Sequence, residues 1–491
     1  MNNEPNQNFS KSKKFDVKIK VGEKPNIKEF KVHSIILSAR SDYFKTALSS
    51  RWAKREDGFI IFDKPNISPP VFEILINYIY TENFSNNNDI SLFDIFIAAD
   101  EIGLVEISQQ IKKYLRNKVF GYFNQGKFLK ALEFYEEILD NIPLSVEDQK
   151  SASSWDLSNK RLESKEMNEL SKILCKKTTL TSLNLSNFEL GSEGKILADV
   201  ICKNSTLTSL NLYNNNLGSE GGKLLANSLC KNSTLTSLNI GYNDLGSEGG
   251  KALGDALCKN FTLTSLELSH NCLSSEVGKA LADALYKNST LKDLNLYYNN
   301  LRSEGVKELA DALYKNSALT SLNLSNNNIG SEGGKALADA LCKNSTLKNL
   351  NLKYNELGPE GGKALADALC KNSTLTSLKL RSNYLGSVGV KALADALCKN
   401  STLKDLNLNS NWIYSEGGKA LADALCKNST LTTLDLQKNK LGFEVGKALA
   451  NALCKNSTLT SLNIGSNKLG SKGEKALADA LCKDFFRSCL E

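Results

Sequence analysis

Residues 319–346 read LTSLNLSNNNIGSEGGKALADALCKNST, and this stretch decides the fold. Its first half places apolar residues at Leu319, Leu322, Leu324 and Ile329, alternating as a half-buried strand does. Its second half places them at Leu337, Ala340 and Leu341, the three-and-four step of a helix with one buried face. Ser331 stands where a helix N-cap is expected, and Asn344 where a left-handed C-cap residue is expected. The stretch therefore reads as strand, turn, helix, turn.

The same pattern recurs every 28 residues, with a leucine at Leu210, Leu238, Leu266, Leu294, Leu322, Leu350, Leu378, Leu406, Leu434 and Leu462. Leu183 opens the series one residue early, because GSEGK at 191–195 has one glycine fewer than GSEGGK at 218–223. Trp155, Leu157 and Leu162 form a degenerate earlier turn, giving eleven units and a cap. One such unit buries too little apolar surface to offset the entropy of ordering its own chain. Stacked units do better, because neighbouring strands share backbone hydrogen bonds and the leucines meet across each seam. Strands stack at about 4.8 Å and helices at roughly 9 Å, in layers ~10 Å apart, so the stack bends by about 20° per unit. A horseshoe results, with a parallel sheet inside and helices outside.

The motif LxxLxLxxNxL at Leu319, Leu322, Leu324, Asn327 and Ile329 resembles a leucine-rich repeat, and the long period with a full helix resembles the ribonuclease-inhibitor type. Asn recurs at the bend of ten units, from Asn215 to Asn467, with Phe188 in its place in the first. An amide there can satisfy backbone groups that the turning chain leaves unpaired, so the column reads as structural.

Composition excludes several function classes. The 491 residues carry a net charge of +7 from 61 basic and 54 acidic residues, too balanced to imply nucleic-acid binding. The basic opening MNNEPNQNFSKSKK has no apolar core after it, and no apolar run approaches the length of a membrane span. Two histidines, His33 and His270, leave little room for His-based metal sites or triads. Of twelve cysteines, ten share one repeat position near the helix end, from Cys175 to Cys482, while Tyr286 and Tyr314 fill it in two units. Helix spacing of about 9 Å exceeds the ~7 Å reach of a disulfide, so reduced thiols in a cytoplasmic or nuclear compartment are expected. The recurring KNST sequons, including Asn344, read as turns, and Lys335, Asp339 and Lys343 as a solvated helix face.

Residues 15–116 lack the repeat. Phe15, Val17, Ile19 and Val21 alternate as a strand, a second strand ends in FKVHS from Phe30, and Ile35 to Leu48 is spaced as a helix. FIIF at 59–62 reads as a buried strand, with helices at Val71 to Tyr80 and Leu92 to Ala99. The blocks FKVHSIILSARSDYFKTAL, PPVFEILINYIYT and IFIAADEIGL, in that order, resemble a BTB/POZ domain. That resemblance implies homodimerisation or partner binding, structural roles for Asp16 and His33, and docking on a cullin scaffold of a ubiquitin ligase. Cullin-binding members often carry a hydrophobic-x-Glu element, whose counterpart here is Trp52-Ala53-Lys54, with lysine inverting the charge. Trp52 and Lys54 are thus the candidate cullin-docking loop, with ordinary packing the alternative for Trp52. YFNQGKFLKALEFYEEILDNIP at 122–143 resembles the latter part of a tetratricopeptide repeat, paired as a connector with the helix Ile111 to Phe120.

The fold class expected is an α+β BTB/POZ-like domain joined to an α/β leucine-rich-repeat solenoid. The divisions expected are a disordered N-terminus (1–14), the BTB/POZ-like domain (15–116), a helical connector (117–143), a linker (144–154), the solenoid (155–482) and a C-terminal tail (483–491). No P-loop, GxSxG, HExxH, DxDxG or paired CxxC occurs, so no enzyme, cofactor or metal is expected. Units differ most where the sheet faces the hollow, at Tyr213, Tyr242, His270, Tyr297, Tyr298, Lys353, Tyr354 and Arg381, and on the rim at Tyr384 and Trp412. Exposed aromatics and arginine are enriched at interface hot spots, although tyrosines can also simply cover a strand face. Glu267, Asp293 and Asp405 give the wall mixed polarity, favouring a protein over a polyanion. A dimeric adaptor feeding a cullin ubiquitin ligase is the leading expectation. The alternatives are a small-GTPase regulator, since the Ran GTPase-activating protein has this repeat type, and a scaffold or inhibitor without ligase link.

Overall fold

The computed structural model describes residues 14–49, 53–86, 90–141, 153–159, 164–175 and 180–488, in two compact units, Met1–Gln149 and Lys150–Glu491. The expected disorder at the N-terminus, most of the expected linker and Trp52 lie outside the described residues.

The first unit is built on a four-stranded sheet, ordered β2 (Lys28–Val32), β1 (Val17–Val21), β4 (Phe59–Lys64) and β3 (Lys54–Glu56). β1 runs antiparallel to β2 and parallel to β4, and turns Val17, Ile19 and Val21 fully inward, as the alternation requires. The expected long helix over Ile35 to Leu48 is two, α1 (Ser34–Arg40) and α2 (Asp42–Ala47). They break at Ser41, whose extended backbone lets its hydroxyl accept the Phe44 N–H and cap α2. Asp16 accepts from the Ser34 backbone N–H at 2.7 Å, and the His33 ring meets the Tyr80 hydroxyl at 2.9 Å, so both are engaged in holding the start of α1. α3 (Pro69–Thr81) and α4 (Leu92–Glu101) supply Phe72, Leu75 and Phe96 to the core. α5 runs unbroken over Val105–Asn124, and α6 (Phe128–Asn141) packs on it and on α4, placing the Phe134 ring against Tyr122 and Phe93. Lys64 is 6% exposed and ion-paired with Glu101, its ammonium 4.5 Å from the Tyr43 ring centre.

The second unit is one parallel sheet of twelve short strands in sequential order, each followed by a helix. The strands are β5 (Ser154–Asp156), β6 (Ser182–Asn184), β7 (Ser209–Asn211), β8 (Ser237–Asn239), β9 (Ser265–Glu267) and β10 (Asp293–Asn295). They continue with β11 (Ser321–Asn323), β12 (Asn349–Asn351), β13 (Ser377–Lys379), β14 (Asp405–Asn407), β15 (Thr433–Asp435) and β16 (Ser461–Asn463). Register is unshifted throughout, so Leu294, Leu322 and Leu350 stack directly and each is at most 1% exposed. Every strand is only three residues long, too short to be stable by itself, and its order comes from its neighbours.

Two asparagine columns tie each unit to the one before. At the bend, Asn383 donates to Leu352 O at 2.7 Å, while its Oδ1 accepts from the backbone N–H of Asn355 at 3.1 Å. After the helix, Asn344 donates to Leu313 O at 2.7 Å and accepts from Thr346 and Leu347 N–H. This corrects the reading of Asn344 as a left-handed cap: the helix Gly330–Leu341 is capped by Cys342 in right-handed geometry, and Asn344 is a buried staple between units. Its amide nitrogen donates twice, to Leu313 O at 2.7 Å and to Asn316 O at 3.2 Å, whereas an amide bearing a glycan keeps a single N–H. Ser331 likewise is no cap: the helix begins at Gly330, with Ile329 at the N-cap position, and Ser331 lies in its first turn. The ten cysteines whose state is described are all free thiols.

Candidate protein-binding surface

Each strand sends alternate side chains into the leucine core and toward the open face of the sheet. On that face Asn295 and Asn351 accept the backbone N–H two residues on, from Tyr297 at 3.0 Å and Lys353 at 3.3 Å. The chain then turns through a left-handed residue, with φ 58° at Tyr242, 52° at His270, 54° at Tyr298 and 57° at Tyr354. There the backbone N–H still reaches the next unit, as from Tyr298 to Ser325 O at 2.9 Å. Asn187, Asn214 and Asn326 hold the same position in other units, also at positive φ. Asparagine visits this region readily, whereas a bulky aromatic there is a backbone outlier costing on the order of 1–3 kcal/mol. The bend needs only the conformation, so the rings are not there to make it.

The structure sorts the ten expected contact residues into three groups. Tyr213, Tyr242, His270, Tyr297 and Tyr298 form one continuous aromatic array, with successive centroids 5.9, 5.1 and 5.0 Å apart and His270 stacked on Tyr298 at 4.2 Å. Tyr242 and Tyr298 are still 49% and 53% exposed, so the rings contact one another without being covered. Burial among these rings holds the His270 pKa below its ordinary value, which keeps the imidazole neutral and apolar at pH 7. Tyr354 and Arg381 pair as a cation–π contact at 5.4 Å beside Lys353. On the rim, Tyr384 and Trp412 meet at 4.8 Å, each at positive φ and exposed.

Beside the aromatics lies a shallow polar groove of about 340 Å³, floored by strands β9 to β13 and lined by Glu267, Asp293, Asn323, Asn351 and Lys379 among others. Glu267 stands where most units have Asn and, like them, accepts the N–H two residues on, from Ser269 at 2.8 Å, as well as the Asn295 amide. Burial, with a smaller push from Asp293, raises its pKa despite those bonds. Lys379, in the same column, was not singled out in the sequence; the signal was available, since it is a lone cation where Asn is the rule. Tyr414 was also missed: it replaces the glycine that opens most of the helices, at φ 50°, exposed and 6.0 Å from the Lys440 ammonium.

Lys54, in the candidate cullin-docking loop, lies in β3, exposed and paired with Glu56 at 2.6 Å, an ion pair that raises its pKa and lowers that of Glu56. Among the described residues no group of three or more His, Cys, Asp or Glu is placed to hold a metal, and no helix is long and apolar enough to cross a membrane.

Comparison with known proteins gives the same two parts. The profile of the BTB/POZ domain matches residues 6–119. That of the leucine-rich repeat matches ten successive segments from 203–226 to 455–478. Kelch-like protein 40a of Danio rerio is 30% identical over 131 residues, a match spanning 25% of this chain and only 21% of that protein. A solved structure of the leiomodin-1 actin-binding site 2 covers 35% of this chain and 86% of its own, at 23% identity and a TM-score of 0.24. With a four-stranded sheet in its first unit and a stack of strand-helix units in its second, this chain is a BTB/POZ domain followed in sequence by a solenoid of leucine-rich repeats.

Proposed function

We propose that this protein-interaction adaptor dimerises through its BTB/POZ domain and grips a protein partner on the open face of its repeat sheet, with the aromatic array as the main anchor. BTB/POZ domains and leucine-rich repeats are typically non-catalytic interaction modules. The observation that carries the reading is the array itself: five rings in mutual contact, two of them about half exposed, three in a backbone conformation that asparagine adopts in neighbouring units. Rigid aromatics offer contact area at small entropic cost, which makes them effective anchors once a partner excludes water. Exposed Ile35 on α1 and Phe15 before β1 supply apolar surface for the dimer. A dimer would engage clustered partners with raised avidity.

The test is purification of the tagged full chain from its native cells, with mass spectrometry of what is retained. Tyr297→Ala with Tyr354→Ala is expected to lose the partners that the wild type keeps, with the dimer unchanged by sedimentation. If every partner stays bound, the open face is not the binding surface. The ligase link is the finer part of the reading: it is supported by the BTB/POZ resemblance and opposed by the charge of Lys54. Cullin recovery should rise with Lys54→Glu. Absence of cullin from both samples would leave an adaptor that serves no ligase.

A further inference from the structure

Charges on the open face are segregated by strand. Glu267 on β9 and Asp293 on β10 are acidic; Lys353 beyond β12, with Lys379 and Arg381 on and beyond β13, are basic; Asp405 on β14 and Asp435 on β15 are acidic again. None of these seven forms an ion pair among the described residues. Asp405 is held by the Ser377 hydroxyl at 2.8 Å and Asp435 by the Asn407 amide at 2.9 Å; neither is in a direct ion pair, and both act on the Lys353 charge only from a distance. Lys292, Lys348 and Lys404, each one residue before its strand, are exposed and form no ion pair among the described residues.

Among the described residues, no carboxylate is in ion-pair contact with the basic centre. The Nε of Arg381 is buried and has no hydrogen-bond acceptor among the described residues, while the guanidinium is fixed over the Tyr354 ring. Burial, then repulsion from Lys379 and Arg381, holds the Lys353 pKa below its ordinary value. A buried donor without an acceptor is costly, and a carboxylate is the acceptor that a guanidinium fits best.

Deepening the binding-surface reading, on which it rests, we infer that the open face from β9 to β15, of which the groove is the part over β9 to β13, takes an extended polypeptide segment lying across the strands in the charge order basic, acidic, basic, its acidic residue seated over Lys353, Lys379 and Arg381. The order follows from complementarity with the wall, which fixes register as well as partner choice. The dimensions follow from the sheet: Glu267 and Lys379 are four strands apart, roughly 19 Å, and Lys379 and Asp435 two strands apart, roughly 10 Å. An extended chain covers these spans in about six and three residues.

Two fluorescein-labelled synthetic peptides of identical composition test this against the full-length protein by fluorescence anisotropy at low salt. One carries paired lysines, paired glutamates and paired lysines, joined by Gly/Ser linkers of those two lengths; the other has the glutamates moved to one end. The first is expected to bind about tenfold more tightly, a preference that added salt weakens. The exchange Glu267→Lys with Lys379→Glu, which places each residue type where the fold already accepts it, should abolish that preference with circular dichroism unchanged. Equal binding of the two peptides, no binding of the first, or a preference that survives the exchange overturns the charge order. The adaptor reading falls separately, through retention of every partner by the tyrosine double variant.

Discussion

Replacing Asn383 by alanine tests whether the bend column holds the repeats together. Asn383 is fully buried. Its amide nitrogen donates to Leu352 O at 2.7 Å, Leu380 O at 3.0 Å and Arg381 O at 3.3 Å, and its oxygen accepts from Asn355 N–H at 3.1 Å and Leu357 N–H at 3.4 Å. Alanine removes all of these, and a single water in the space vacated by the amide cannot restore five bonds. Two of the bonds, to Leu352 O and from Asn355 N–H, are short and reach the preceding unit. Each buried backbone group left unsatisfied costs about 1–3 kcal/mol, so these two should total about 2–6 kcal/mol. The assay is urea unfolding of the full chain followed by far-UV circular dichroism, with Asp339→Ala on the exposed helix face as a control expected to change stability by less than about 0.5 kcal/mol. Because repeat arrays can lose cooperativity, the slope of the transition is as informative as its midpoint, and a split transition near the middle of the array also fits the argument. A change for Asn383→Ala no larger than the control's would refute the view that this column staples the units.

Gly278→Ala should destabilise the solenoid by about 1–3 kcal/mol in the same assay, because a Cβ there would lie 2.5 Å from the Gly305 Cα and backbone must move to admit it. An unchanged midpoint would mean that the two helices are not in close contact. In the BTB/POZ domain, Lys64→Ala should cost about 1–3 kcal/mol, since Glu101 is left half-buried with Asn66 as its remaining partner. The same pair predicts a pH dependence: the contacts with Asn66 and Lys64 outweigh burial and hold the Glu101 pKa below its usual 4.5. Its contribution is therefore present above that value and lost as pH falls through the lowered one, a loss that Lys64→Ala should diminish. A variant whose acid unfolding matches the wild type would contradict this.

Much of this molecule was legible in its sequence because a repeat reports its own structure many times over. Leu322 and its counterparts, the period and the bend asparagines sufficed for a parallel sheet backed by helices, since stacking the units in register both buries the leucines and pairs the short strands. The BTB/POZ domain was legible from three ordered blocks, although the break at Ser41 and the strand Lys54–Glu56 were not, being set by the Ser41 hydroxyl and by the antiparallel neighbour Phe59–Lys64. Position within the repeat placed Tyr213, Tyr242, His270, Tyr297 and Tyr298 on the open face.

Local rules misassigned Ser331 and Asn344, because capping preferences describe isolated helices whereas each helix end here is finished by the adjoining unit. That five rings form one array, that three of them occupy left-handed backbone, and that Arg381 buries an unpaired donor beside Lys353 and Lys379 are facts of tertiary structure. Residues 28 apart become neighbours only when strands stack in register. The sequence thus determined what each unit is and which side chains it displays. Their association into an anchor and a charge order was decided by the stacking, because side chains scattered along the chain meet only across hydrogen bonds between units.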